Sequence, residues 1–200
     1  MEQVRTENKM GTMPIGKLLA NMAIPMMVSM LVQAFYNVVD SYFVAKLGLN
    51  ALTTVSLAFP VQNLMIAVAV GTGVGINSLI SRRLGEGRKD RAESAAVHGL
   101  VLGIFTWLVF ALVGSVGARP FFSLFTDDAG MLAQCVGYGQ IVTIFSIGSF
   151  VQINIEKTFQ ATGNMIYPML FMLVGTVTNI ILDPIMIFGL LGFPAMGVRG

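Results

Sequence analysis

Long apolar runs, separated by short polar connections, dominate the pattern of this chain. A helix needs about 20 apolar residues to cross the roughly 30 Å hydrocarbon core of a bilayer. The runs predict five transmembrane helices and the start of a sixth; the five spans are residues 18–43, 52–80, 95–117, 131–155 and 167–191. Because backbone polar groups need internal partners in lipid, the expected fold is an all-α, polytopic integral membrane helix bundle. Residues 1–17 are predicted to form a polar tail, and residues 18–200 one transmembrane lobe.

Composition supports a membrane protein and limits the chemistry it can perform. Hydrophobic residues make up 55% of the chain and charged residues 11%, whereas a soluble domain is about 25% charged. The single cysteine, Cys135, excludes an internal disulfide framework and a Cys-rich metal site. The chain has no H-E-x-x-H, G-x-S-x-G or Walker A motif, so we predict neither an enzyme nor an ATP-driven pump.

Lys and Arg are distributed unequally between the two sides of the predicted bundle. Nine of them lie in the tail and in the connections that alternate to its side, whereas three lie on the other side. The positive-inside rule therefore predicts a cytoplasmic N-terminus. The most basic connection, residues 82–91, lacks interleaved aromatic residues, so we interpret it as a topology signal near anionic lipid rather than a nucleic-acid site. His98, the only histidine, is expected to reach toward this interface.

Two carboxylates, Asp40 and Asp183, lie inside the predicted spans, where ionisable groups are costly and mark functional sites. Spans one and five run in the same direction, so both acids are expected at similar depth in the outer part of the bundle. Polar residues at helical spacing share a face with each acid. They are Gln33, Tyr36 and Asn37 before Asp40, and Thr176 and Asn179 before Asp183; with Asn154 of span four, they are predicted to line a cavity.

The acid pair suggests cation chemistry. Two neighbouring carboxylates in a low dielectric cannot both stay ionised cheaply, so we predict that they bind a proton or a sodium ion. Pro184 follows Asp183 directly, and its ring should kink the helix and free a carbonyl toward the site. The alternatives are that the acids only hydrogen-bond helices together, or that Asp40 is solvated at the membrane interface.

Several sequence motifs resemble one known family. They are AIP at 23–25, NVVDSYFVAKLG at 37–48, SRRLGEG at 81–87, TFQATGN at 158–164 with Pro168, and TNIILDP at 178–184. Together they resemble the N-terminal half of the MATE family, the multidrug and toxic compound extrusion transporters, and most of all its bacterial MepA-like and DinF-like members. The resemblance covers essentially all of the chain after residue 13.

The resemblance implies a twelve-helix transporter with two six-helix lobes, of which this chain provides the N-terminal lobe and lacks the C-terminal one. It implies a monomer in the bacterial cell membrane that exports cationic or amphipathic drugs by H⁺ or Na⁺ antiport and so confers antibiotic resistance. Asp40, Asn179 and Asp183 match the family's cation site. No cofactor and no metal other than Na⁺ is implied, and the expected partners are small-molecule drugs and membrane lipids, not nucleic acid.

Three alternatives remain open from the sequence. A lipid-linked oligosaccharide flippase of the same superfamily usually has a more basic cavity than the acidic one predicted here. A membrane-embedded enzyme would need a second catalytic group, and no His, Cys or Lys lies at the depth of the two acids. A non-transporting scaffold predicts that neutralising Asp40 and Asp183 leaves function unchanged and raises stability.

Overall fold

The computed structural model describes residue 11, residues 13–192 and residues 194–197, so most of the predicted polar tail lies outside the described residues. The described part is helical and contains no strand, which confirms the all-α prediction. Its six α-helices are α1 (Ile15–Lys46), α2 (Leu49–Gly85), α3 (Lys89–Phe122), α4 (Ala129–Phe145), α5 (Ile147–Ala161) and α6 (Ile166–Phe188). A short 3₁₀ helix, Leu190–Gly192, follows α6.

Four helices, α1, α2, α3 and α6, are each long and apolar enough to cross a membrane. Helices α4 and α5 pass the same test only as a pair, and they are bent by 41° relative to each other. The prediction of about five spans agrees with this count if the bent pair is one span, and the break within it is a feature that the apolar run does not indicate. The break falls at Ser146, whose hydroxyl donates to the Thr143 carbonyl at 2.8 Å and so competes with the helical backbone.

The helix ends also differ from the ends of the apolar runs. Helices α1 to α3 extend beyond the predicted spans, because the backbone stays helical through the flanking residues, polar and apolar alike. Helix α6 remains helical through Pro184, where a kink is predicted, and ends at Phe188 rather than at residue 191. It ends there because Gly189 adopts a left-handed conformation, with a φ of 72°, that L side chains rarely accept.

The six helices form two groups. Helices α2, α3, α4 and α5 pack extensively against one another and make a four-helix core. Helices α1 and α6 pack mainly on each other, and this pair contacts the four-helix core much less. The four-helix core is held by three buried apolar clusters along its length, centred on Ile80, Met65 and Phe122. The acids Asp40 and Asp183 both belong to the α1/α6 pair, so the grouping decides where the candidate site lies.

Small residues allow the four core helices to approach closely, as is usual in membrane bundles. A Cβ on Gly139 would lie 2.7 Å from the Phe122 ring, and one on Gly99 would lie 2.7 Å from Ile76. In the G-x-G-x-G run of α2, only Gly73 faces a neighbour, the aliphatic stem of Lys157. The other two glycines of that run face open space within the described residues, so close packing accounts for one glycine of the three.

Candidate cation site

The structure brings the two intramembrane carboxylates together. Asp40 lies near the C-terminal end of α1 and Asp183 near the C-terminal end of α6, and these two helices pack against each other. The carboxylates are close enough to interact electrostatically, and both side chains are half-buried. Sequence spacing alone indicates only that the acids lie at similar depth; the packing of α1 on α6 adds that their helices are neighbours.

Tyr36 and Asn179 complete the immediate surroundings of the acids. Each lies four residues before the acid of its own helix, so it shares that acid's face. Tyr36 lies within electrostatic range of both Asp40 and Asp183, and the Asn179 side chain approaches its hydroxyl. The site thus presents two carboxylates, an amide and a phenol. Oxygen donors of this kind suit a proton or a hard cation such as Na⁺.

One carboxylate oxygen of the site lacks a partner. The Oδ2 atom of Asp183 is buried and has no hydrogen bond within the described part of the chain. The ion pairs in that part all involve Glu86 or Glu156, so neither Asp40 nor Asp183 is paired with Lys or Arg there. A buried, unpaired charge is strongly unfavourable, and a bound proton or cation removes the cost. No set of three or more His, Cys, Asp or Glu side chains suited to a metal occurs among the described residues.

Two further residues, Gln62 and Tyr138, form a polar pair in the four-helix core, and no sequence pattern singles them out. Gln62 on α2 donates from Nε2 to the Tyr138 hydroxyl on α4 at 3.1 Å. Tyr138 in turn lies within electrostatic range of Asp40 and of Tyr36. Periodicity groups residues only within one helix, so a contact made between α2 and α4 leaves no signal in a single sequence. The hydrogen bond is internal to the four-helix core, and Tyr138 is the member of the pair that lies within electrostatic range of Asp40.

The remaining predicted cavity residues are placed differently from one another. Gln33 and Asn37 are exposed on α1, and Thr176 is half-buried on α6, each on the helix of its acid. Asn154 is 4% exposed, and its Nδ2 donates to the Phe150 carbonyl at 2.9 Å. Its side chain packs against Gly103 of α3. The structure therefore brings Asn154 into the packing of α5 on α3 rather than to the acid pair.

Proteins of known function and structure resemble this chain over most of its length. A FAD transporter of Shewanella oneidensis is 26% identical over 194 residues, which are 94% of this chain and 41% of the relative. The multidrug export protein MepA of Staphylococcus haemolyticus is 31% identical over 184 residues, which are 88% of this chain and 39% of MepA. The chain thus spans about two fifths of the length of these relatives.

Solved structures and a family model give the same assignment. The outward-facing structure of a multidrug resistance MATE family transporter of the MOP superfamily superposes with a TM-score of 0.85 and 31% identity. The match covers 92% of this chain and 40% of that transporter. The MatE family model matches residues 25–185, which include both acids of the candidate site. The chain belongs to the MatE family of membrane transporters.

Proposed function

We propose that this chain contributes the cation-coupling lobe of an antiporter that exports cationic or amphipathic small molecules across the bacterial cell membrane. The observation that carries the proposal is the buried, unpartnered Oδ2 of Asp183, beside a second carboxylate, Asp40, on a neighbouring helix. Membership of a family that includes the multidrug exporter MepA supports the cargo class. The coupling ion is H⁺ or Na⁺, held by Asp40, Asn179 and Asp183 with Tyr36 beside them.

The arrangement of the helices suggests how ion binding would drive export. A bound proton or Na⁺ offsets the repulsion between Asp40 and Asp183 and so favours closer packing of α1 on α6. This pair contacts the four-helix core only sparsely, so it can shift against the core at low cost. Gln33 and Asn37 on the exposed side of α1 would then release a bound drug. One elementary charge crossing 100 mV supplies roughly 2.3 kcal/mol for this work.

The acidic site favours a positively charged cargo over an anionic one. A cationic drug and the coupling ion can compete for the same carboxylates. This competition by itself would exchange one for the other, so no separate coupling element is needed. The FAD transporter among the relatives supports a second candidate, export of an anionic flavin nucleotide. That cargo, like a lipid-linked oligosaccharide, would need basic groups, and the half-buried groups assembled around Asp40 and Asp183 are acidic or neutral.

The decisive experiment measures transport of ethidium and of radiolabelled FAD in everted vesicles that contain the full-length protein. A pH gradient and a Na⁺ gradient are imposed separately, and each variant is compared with the parent. We expect ethidium transport to follow one gradient and to be abolished in Asp183→Asn and Asp40→Asn. Asp127→Asn, in the connection between α3 and α4, is the matched control and should transport normally.

The outcomes separate the candidate functions. Normal ethidium transport in both Asp40→Asn and Asp183→Asn would disprove cation coupling at this site. If both variants transport normally and also melt at a higher temperature, the result supports the alternative in which this chain is a non-transporting scaffold. Gradient-dependent transport of FAD without transport of any cationic dye would instead establish the nucleotide exporter.

A further inference from the structure

A groove between α2 and α3 lies at the end of α2 that is remote from the acid pair. Its volume is about 590 Å³. Two guanidinium groups, from Arg83 and Arg91, and the imidazole of His98 line it, together with apolar side chains that include Leu79 and Leu102. The groove is thus basic at one end and apolar along its length. The proposed transport function uses none of these residues.

The order of residues along the groove matches the order of a lipid's parts. Arg83 and Arg91 flank the short connection between α2 and α3, so they mark the end nearest to water. His98 lies two helical turns further along α3, and Leu102 one turn beyond it. At a rise of 1.5 Å per residue, Arg91 and Leu102 are separated by about 16 Å along the axis. A headgroup at the arginines would therefore continue into an acyl chain beside Leu79 and Leu102.

Local contacts leave positive charge available in the groove. Arg83 donates to Glu86 at 2.9 Å, but Arg91 forms no ion pair within the described residues. Nδ1 of His98 lies 2.7 Å from the Ser94 carbonyl, which fixes the ring and leaves Nε2 for another partner. Glu86 is also shared with Arg82 and Arg88, so one carboxylate faces three guanidinium groups. The surroundings of the groove thus carry a net positive charge.

We propose that this groove binds one anionic phospholipid, with its phosphate between Arg83, Arg91 and His98 and one acyl chain along Leu79 and Leu102. Basic pockets between the ends of transmembrane helices characteristically hold anionic headgroups. A soluble phosphate would gain nothing from the apolar length of the groove, and a zwitterionic lipid would gain less from the two guanidinium groups. Ile76 and Gly99, whose close contact holds α2 on α3, also line this groove. A bound lipid would therefore stabilise the packing of these two helices.

The test is native mass spectrometry of the full-length protein titrated with phosphatidylglycerol and, separately, with phosphatidylcholine of the same acyl chains. We expect one phosphatidylglycerol to bind more tightly than further copies and more tightly than phosphatidylcholine. Arg91→Gln should weaken that site by roughly fivefold, because a basic residue near a membrane surface contributes about 1 kcal/mol to binding of anionic lipid. Lys89→Gln makes the same charge change outside the groove lining and is the control.

Three outcomes would overturn the proposal. If Arg91→Gln and Lys89→Gln lose the same amount of affinity for phosphatidylglycerol, only the general surface charge matters. Equal binding of the two lipids would show that the groove does not select a charge. Displacement of the lipid by glycerol phosphate at a similar concentration would show a soluble-anion site. Arg83→Lys adds a geometric readout: it keeps the charge but loses the planar fork, so affinity should fall without a change in the number of bound lipids.

Discussion

Gly114 on α3 allows the packing of α3 against α4 to be tested quantitatively. A Cβ at this position would lie 2.5 Å from Cβ and 2.7 Å from Cγ2 of Thr143, and closer still to its hydroxyl oxygen. Thr143 is 2% exposed, and as a β-branched residue it has few rotamers. Its hydroxyl also donates to the carbonyls of Gly139 and Gln140, at 2.8 and 3.1 Å. The threonine cannot turn away without breaking these hydrogen bonds.

The expected cost of Gly114→Ala follows from this geometry. Carbon atoms in contact prefer a separation of about 3.5–4.0 Å, so the two helices must move apart by about 1 Å. Overpacking of this kind costs about 1–3 kcal/mol. Alanine recovers roughly 0.5–1 kcal/mol through its better helix propensity. We therefore expect Gly114→Ala to lower the free energy of unfolding by up to about 2.5 kcal/mol.

Gly117, less than one helical turn further along α3, provides the matched control. Among the described residues, a Cβ there would meet only Val113 of the same helix, at 3.8 Å, which is an ordinary contact. Gly117→Ala should therefore be neutral or stabilising by up to about 1 kcal/mol. Reversible unfolding of the full-length protein in mixed detergent micelles measures both variants under the same conditions. Equal stability of Gly114→Ala and Gly117→Ala would refute the close approach of α3 and α4.

Three smaller predictions concern individual side chains. Cys135 is 0% exposed, so its thiol should react with a maleimide only after unfolding, as followed by peptide mass mapping; rapid labelling of the native protein would contradict its burial. Asp128 caps α4 by accepting from the N–H groups of Gly130 and Met131, so Asp128→Ala should cost about 1 kcal/mol in thermal unfolding, and Asp127→Ala much less. The Arg83 guanidinium, which donates to Glu86, holds the pKa of that carboxyl below its ordinary value. The contribution of this interaction to stability is therefore present above the ordinary pKa of a glutamate. It is lost as pH falls through the lowered pKa of Glu86. The protection factors for hydrogen exchange at the end of α2, which correct for the intrinsic pH dependence of exchange, should fall at acid pH, and Glu86→Gln should remove this fall.

The helices and the grouping of residues on their faces were predictable because both follow from short-range rules. A bilayer demands about 20 apolar residues per span, so the runs in the sequence indicate how many spans to expect. Helical spacing by itself puts Tyr36 on the face of Asp40, and Asn179 on the face of Asp183. The packing of α1 on α6 then joins the two faces. The roles of these residues in cation binding stay a prediction.

Features that depend on contacts between helices were not predictable. The Tyr138–Gln62 hydrogen bond links α4 to α2, and no spacing within either helix indicates it. The polarity of Asn154 favours a cavity position, but its place opposite Gly103 buries it between α5 and α3. The break at Ser146 depends on a single hydroxyl that competes with the backbone, inside a run whose hydrophobicity is continuous. The first two depend on how the helices are rotated about their axes, and the third on a local side-chain hydrogen bond; hydrophobicity alone determines neither.

The position of the acid pair relative to the two helix groups bears on the proposed mechanism. Asp40 and Asp183 belong to the α1/α6 pair, which is the part of the described bundle that is least tied to the rest. If the acids lay inside the four-helix core, a change in their charge would act against three buried apolar clusters. At their actual position it acts on the sparse interface between the α1/α6 pair and the core. A few kcal/mol, the amount supplied by one or two charges crossing the membrane, is comparable with the energy of such an interface. We therefore expect ion binding to move α1 and α6 together against a core that keeps its packing.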